Sequence, residues 1–343
     1  MNVVIRADAS GRVGYGHVMR CFALAEGLRK QGCTVDFICR EDEGNLIEFI
    51  RKKHFTVYGL HSDIDSMEDA QLTSRFLASL PARPEYLIVD HYGLDVSWEK
   101  HLRASAIQMM VIDDFSDRPH ACDVLLNQNY GTVEKDYEGL LPLGCRMLLG
   151  PSYVLLRDQF MRARTNTSPR CAEVKNVFIF YGGTDLTNET TKAVEAVRLL
   201  DDADLTCSVL VGKSNPHWRE IEALCSLLPG ASFIRQAYDV ASLMVNADLA
   251  IGAGGSNIWE RCGLGIPSIV TILSENQKYS VEKLDRDGII VNAGWYWDVT
   301  SFKIAAIMKE LFSEPTRLAR MKDESTRIVD GAGVQRVIEQ MFL

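Results

Sequence analysis

A histidine, His17, follows the glycine turn Gly14-Tyr15-Gly16 and opens a stretch of helical periodicity. The partial positive charge of a helix start favours the neutral imidazole, which can take a proton from water, so the position suits a general base. A second segment, Ile251-Gly-Ala-Gly-Gly-Ser-Asn-Ile-Trp-Glu260, puts a glycine-rich turn between an apolar run and another helix. Backbone N–H groups at such a turn can face a phosphate, and Glu260, one turn further on, can accept hydrogen bonds from both hydroxyls of a ribose. Together these suggest a nucleoside diphosphate, although glycine turns before helices also arise from packing alone. Asp8, Asp90 and the pair Asp113-Asp114 follow or end apolar runs in the same half as His17. Carboxylates there could orient the histidine, hold sugar hydroxyls and amides, or cap helices. Asn127 and Asn129 could contact an amide-bearing sugar or simply shape a turn.

What must position these residues is an alternation of short apolar runs with longer helical segments, the pattern of parallel sheets with crossover helices. In the first half the expected strands are 3–5, 34–38, 55–58, 86–89, 108–112 and 124–126. A helix is expected over 16–30, with Val18, Cys21, Phe22, Ala25 and Leu28 on one face and Gly32 as its stop, and others over 65–80 and 96–105. The rhythm fades over 130–169, which is rich in glycine and ends in a polar tract, and restarts with expected strands at 174–181, 205–211, 232–234, 249–252 and 268–272. The expected architecture is α/β, with two doubly wound parallel-sheet (Rossmann-like) domains. The first covers 1–150 and carries His17, 151–169 is a linker, the second covers 170–330, and a C-terminal helix over 331–343 packs back on the first. Ligands bind beyond the carboxyl ends of parallel strands, so the turns 6–17 and 181–185 are expected to face one another across an interdomain cleft.

Composition narrows the function. At 343 residues the chain exceeds what one core supports. Its net charge of −9 argues against coating nucleic acid, and the short basic run Arg51-Lys52-Lys53-His54 suits a solvated helix end. No apolar run is long enough to span a bilayer and no signal-type segment opens the chain, so a cytoplasmic protein without membrane insertion is expected. Nine scattered cysteines read as reduced, mostly buried thiols. His17 and Cys21 have the i, i+4 spacing of a metal pair but no third ligand, so no metal is expected.

Six motifs occur in order: Arg6-Ala-Asp-Ala-Ser with Gly14-Tyr-Gly-His17-Val-Met-Arg20-Cys, Val89-Asp-His-Tyr-Gly93, Ile112-Asp-Asp114, Phe180-Tyr-Gly-Gly-Thr-Asp185, Gly254-Gly-Ser-Asn-Ile-Trp-Glu260-Arg-Cys, and Asn276-Gln277. In this set the chain resembles the UDP-2,4-diacetamido-2,4,6-trideoxy-β-L-altropyranose hydrolases of pseudaminic acid biosynthesis, members of the GT-B superfamily. The resemblance implies that His17 activates water for inverting attack on the anomeric carbon of a UDP-sugar, and that Tyr92 lies in the substrate site. It implies that Glu260 holds the ribose, that Gly182, Gly183, Thr184, Gly255 and Ser256 cradle the diphosphate, and that Asn276 and Gln277 approach sugar or phosphates. Asp8, Gly14, Gly16, Arg20, Asp114 and Asn127 are the candidate substrate contacts. No cofactor or divalent metal is implied, and a monomer is expected. Asn257 and Trp259 depart from the family pattern. Two other readings are an inverting glycosyltransferase with a hydroxyl acceptor in place of water, and a non-catalytic nucleotide-sugar binding protein.

Overall fold

A computed structural model describes residues 1–11, 13–165 and 173–343; Arg12, Cys171, the end of the expected linker and the first residues of the expected second domain lie outside the described residues. The chain divides into two compact units, one of Met1–Arg157 with Ala332–Leu343 and the other of Asp158–Gly331.

The first unit is built on strands β1 (Asn2–Ala7), β2 (Thr34–Arg40), β3 (Thr56–Leu60), β4 (Tyr86–Asp90), β5 (Gln108–Ile112), β6 (Val124–Asn127) and β7 (Arg146–Leu149). They lie in the order β3-β2-β1-β4-β5-β6-β7, and their pairings are parallel. The chain winds outward from β1 to β3 and then resumes at β4 beside β1. This reversal sets Ala7 opposite Asp90 and opens the carboxyl ends of the two strands side by side.

Helices cover both faces of this sheet, which is why its strands read as continuous apolar runs rather than alternating ones. Ile5, Phe37, Ile88 and Leu126 pack with Cys21, Leu24 and Leu28 of the helix Gly16–Lys30 and with Val337 and Ile338 of the C-terminal helix Gly333–Met341. Leu87, Val89 and Leu125 point to the other face, with Trp98 and Leu102. The Gly16 helix ends as expected on Gly32, whose φ of +80° favours glycine, while the N–H of Cys33 reaches back to the carbonyl of Leu28.

The second unit repeats the scheme with β8 (Asn176–Phe180), β9 (Thr206–Val211), β10 (Ala231–Arg235), β11 (Leu249–Ala253), β12 (Ser268–Ile272) and β13 (Val291–Trp295), ordered β10-β9-β8-β11-β12-β13 and again parallel. Here the reversal falls between β8 and β11. Within 151–169, Asp158–Thr165 forms a helix whose Phe160 is buried among Phe178, Ala250 and Leu264 of the second unit.

Among the described residues eight cysteines are free thiols, and all of these but Cys145 are buried. Among the described residues no helix is long and apolar enough to cross a membrane.

Candidate functional site

At the β1–β4 reversal His17 stands in the first turn of its helix, 6% exposed, with Nδ1 2.6 Å from Oδ1 of Asp90, the last residue of β4. A carboxylate at that nitrogen selects the tautomer that donates from Nδ1, leaving the Nε2 lone pair as the proton acceptor. Arg20, one turn further along the helix, donates to both oxygens of Asp90, from Nε and Nη2 at 2.7 Å each, and to both oxygens of Asp114 at 2.9 Å. Burial alone would push the Asp90 carboxyl up, but Arg20 and His17 outweigh it and hold it well below the usual carboxylate range. The Tyr92 hydroxyl donates to Asp114 at 2.6 Å, and its ring meets the imidazole edge-on with centroids 4.3 Å apart. Burial and the Asp114 charge push the phenol up, so it remains a donor.

A second buried network adjoins the end of β1. Asp8 accepts from Arg6 at 2.8 Å and from the backbone N–H of Arg40 at 2.7 Å, and lies 3.2 Å from Nε2 of His91. Arg6 is fully buried and also pairs with Asp69, which accepts from the Trp98 indole at 3.0 Å. Asp8 therefore serves an internal ion network. Asn127 is likewise turned inward: its Nδ2 donates to the Tyr137 hydroxyl at 2.9 Å and its Oδ1 accepts from the N–H of Asn129. Gly14 adopts φ +82° in the turn before His17, with its N–H donating to the Ser10 carbonyl; Gly16 is the first residue of the helix.

In the second unit the turns after β8 and β11 carry the other candidates. Gly182 has φ +94°, and the Gly183 carbonyl lies so near Gly212 that a side chain at 212 would collide with it. Thr184 is partly buried, and Asp185 behind it accepts from the N–H groups of Glu189 and Thr190, capping the following helix Glu189–Arg198. After β11, the N–H of Ile258 bonds to the Gly255 carbonyl, so Gly255, Ser256 and Asn257 precede the first donor inside the helix Asn257–Gly263. Glu260 is partly exposed on that helix.

Gln277 packs against the same turn: its Oε1 accepts from the N–H of Leu273 at 3.0 Å, and a Cβ added to Gly255 would stand 3.5 Å from its Nε2. Asn276 is half-buried, its Oδ1 accepting from the Ser274 hydroxyl.

Strand order thus gathers the candidates of each unit at one reversal, His17, Arg20, Tyr92 and Asp114 in the first and Gly182, Gly183, Thr184, Gly255, Ser256 and Gln277 in the second. Asp90, which the sequence offers only as one of several strand-end carboxylates, is the direct partner of the histidine. Its signal is a lone aspartate closing the apolar run 86–89, and its meaning depends on β4 lying next to β1. Arg261, beside Glu260, carries no sequence signal of function, yet it is buried beneath the β11 turn.

Residues 176–341 match the glycosyltransferase family 28 C-terminal domain. Over 263 residues the chain is 30% identical to the UDP-2,4-diacetamido-2,4,6-trideoxy-β-L-altropyranose hydrolase of Campylobacter jejuni, covering 76% of this chain and 87% of that protein. It is 26% identical over 341 residues to the spore coat polysaccharide biosynthesis protein SpsG of Bacillus subtilis, covering 98% and 96% of the two chains. Among solved structures, MurG from Acinetobacter baumannii matches with a TM-score of 0.71 at 13% identity over 99% of each chain. The UDP-GlcNAc 2-epimerase of Neisseria meningitidis, bound to UDP-GlcNAc, matches with a TM-score of 0.68 at 12% identity over 100% of each. At such identities these structures establish the fold, two Rossmann-like domains of GT-B type. By its identity to the Campylobacter protein and its coverage of that protein's length, the chain belongs to the UDP-2,4-diacetamido-2,4,6-trideoxy-β-L-altropyranose hydrolase family.

Proposed function

We propose that this chain is an enzyme acting on UDP-sugars, and that it hydrolyses a UDP-2,4-diacetamido-2,4,6-trideoxyhexose at the anomeric C–O bond. The first unit supplies the base and the second holds the nucleotide. A water molecule gives a proton to Nε2 of His17 as its oxygen attacks the anomeric carbon opposite the leaving group. The bond from that carbon to the β-phosphate oxygen breaks, its electron pair leaves with UDP, and the amino-sugar is released with inverted anomeric configuration, in the form pseudaminic acid biosynthesis would use. Asp90 stays ionised, orients the ring and stabilises the imidazolium that forms. The observation that carries this reading is the 2.6 Å contact of His17 Nδ1 with the buried Asp90 carboxylate.

The match of residues 176–341 to a glycosyltransferase domain favours a second reading, in which a hydroxyl acceptor replaces water at the same base. Incubating the purified protein with UDP-diacetamido-trideoxyhexoses in EDTA, and following UDP and the first-formed anomer by NMR, separates the two. The hydrolase releases UDP and the inverted sugar without an acceptor; release only when an acceptor is added identifies a transferase. His17→Ala is expected to lower turnover about 10²-fold or more with UDP affinity within a few fold. Equal loss of UDP binding would give His17 a structural role instead.

A further inference from the structure

Arg261 is 1% exposed, and among the described residues no carboxylate hydrogen-bonds to it, although the neighbouring Glu260 acts on its charge. Its Nη2 donates to the carbonyl of Ala253, the last residue of β11, at 2.7 Å, while Nε and Nη1 have no hydrogen-bond partner. The guanidinium lies against the sheet at Gly252, where an added Cβ would stand 2.9 Å from Nη1 and collide with the Phe180 carbonyl. The charge therefore sits at the β8–β11 reversal, under the strand ends that lead into Gly182-Gly183 and Gly254-Gly255. A buried guanidinium normally has nearly all its N–H groups satisfied; leaving two nitrogens without a hydrogen-bond partner is costly for the unligated protein, and an anion nearby relieves it.

We infer that Arg261 is a positioning residue for a diphosphate: it fixes the Ala253 carbonyl, and so the turn that follows, and it supplies a buried positive charge with unsatisfied N–H groups toward which the phosphates bind. This rests on the nucleotide reading of the second unit and deepens it, since it assigns recognition of the phosphates, as distinct from the nucleoside, to a residue that need not touch them. Burial pushes the guanidinium down to about 10, which leaves it charged at neutral pH.

The test measures the affinities of UDP, UMP and uridine by calorimetry for the wild type, Arg261→Met, Arg261→Gln and Arg261→Lys. Loss of charge is expected to weaken UDP about 10-fold or more, UMP less, and uridine within about twofold, while Lys restores part of the UDP affinity. The Met variant, relieved of a buried charge with unsatisfied N–H groups, is expected to melt no lower than the wild type without ligand; should it fail to fold, the Gln variant decides the comparison. Equal weakening of all three ligands, or no weakening, overturns the inference while leaving the nucleotide reading standing. A wild-type protein that binds none of the three refutes both.

Discussion

Replacing Asp90 by Asn tests how the base is set. The two carboxylate oxygens accept four donors: Oδ1 takes His17 Nδ1 and Arg20 Nη2, and Oδ2 takes Arg20 Nε and the Cys21 thiol. An asparagine has one acceptor oxygen. Placed at Oδ1 the NH₂ opposes Arg20 Nη2 and faces His17, and placed at Oδ2 it opposes Arg20 Nε, so either orientation sets donor against donor beside a buried cation and neither keeps the negative charge beside the ring. With the NH₂ at Oδ1 the imidazole must accept at Nδ1, which moves its proton to Nε2 and removes the lone pair that takes the proton from water; with the NH₂ at Oδ2 the tautomer is kept but the imidazolium that forms loses its counter-charge. A reversed tautomer of this kind costs about 10³ to 10⁴ in turnover. Arg20 keeps both bonds to Asp114, which limits the expected loss of stability to about 1–3 kcal/mol. The assay is single-turnover release of UDP, with the UDP dissociation constant and urea midpoint measured on the same preparation. The constant is expected to stay within a few fold, because the candidate nucleotide residues belong to the other unit. An Asp90→Asn protein that turns over within tenfold of the wild type, while folded, would refute the assignment of Asp90 as the partner that orients the base and balances its imidazolium.

Glu260→Ala is expected to weaken UDP by about 1–3 kcal/mol and uridine in parallel, since a ribose contact is indifferent to phosphate number; an unchanged dissociation constant for UDP by calorimetry would remove Glu260 from the pocket. The first unit is expected to lose stability in acid. Burial opposes ionisation of Asp8, Asp69 and Asp90, but Arg6 at the first two and Arg20 at the third, with their other donors, hold all three below the ordinary carboxylate range. Groups depressed in the folded state contribute stability above the unfolded value of about 4 and lose it progressively as the pH falls further. The urea midpoint of this unit, followed by pulse proteolysis, is expected to be level near neutrality and to drop from about pH 4 downward; a midpoint constant to pH 3 would mean these networks contribute nothing.

The fold was largely legible because both sheets are covered on both faces, so the inner strands announce themselves as unbroken apolar runs and the crossover helices as 3.6-residue periodicity. The two strands with no sequence signal, β7 and β13, are edge strands with partly exposed side chains, and neither Arg146-Met-Leu-Leu nor Val291-Asn-Ala-Gly-Trp forms a sustained apolar or alternating run. His17 could be singled out because a glycine turn and a helix start are local in sequence. Its partnership with Asp90 spans 73 positions and exists only because β4 returns to the side of β1. The inward turn of Asp8 and Asn127 was hidden for the same reason, since their partners Arg6, Arg40 and Tyr137 are fixed by packing. Arg261 was invisible because an arginine beside a glutamate on a short helix normally reads as surface charge; only the glycine at 252 marks the space it fills.

Charge at the two reversals completes the argument. Around His17 one guanidinium, Arg20, faces two carboxylates, Asp90 and Asp114, so the ring's charged neighbours carry a surplus of one negative charge. Protonating the ring cancels that surplus, and the proposed proton transfer from water does this as negative charge passes to the leaving group. In the second unit Arg261 holds a buried guanidinium with two unpartnered nitrogens beneath the glycine turns, which an arriving diphosphate would satisfy electrostatically. A base that served only to pack its domain would need no unbalanced carboxylate, and a buried arginine that served only to pack would have its N–H groups satisfied, as Arg6 does with Asp8 and Asp69. Each feature is thus of the kind that the proposed reaction corrects, a negative cluster that acquires a proton in one unit and an unsatisfied guanidinium that gains an anion in the other.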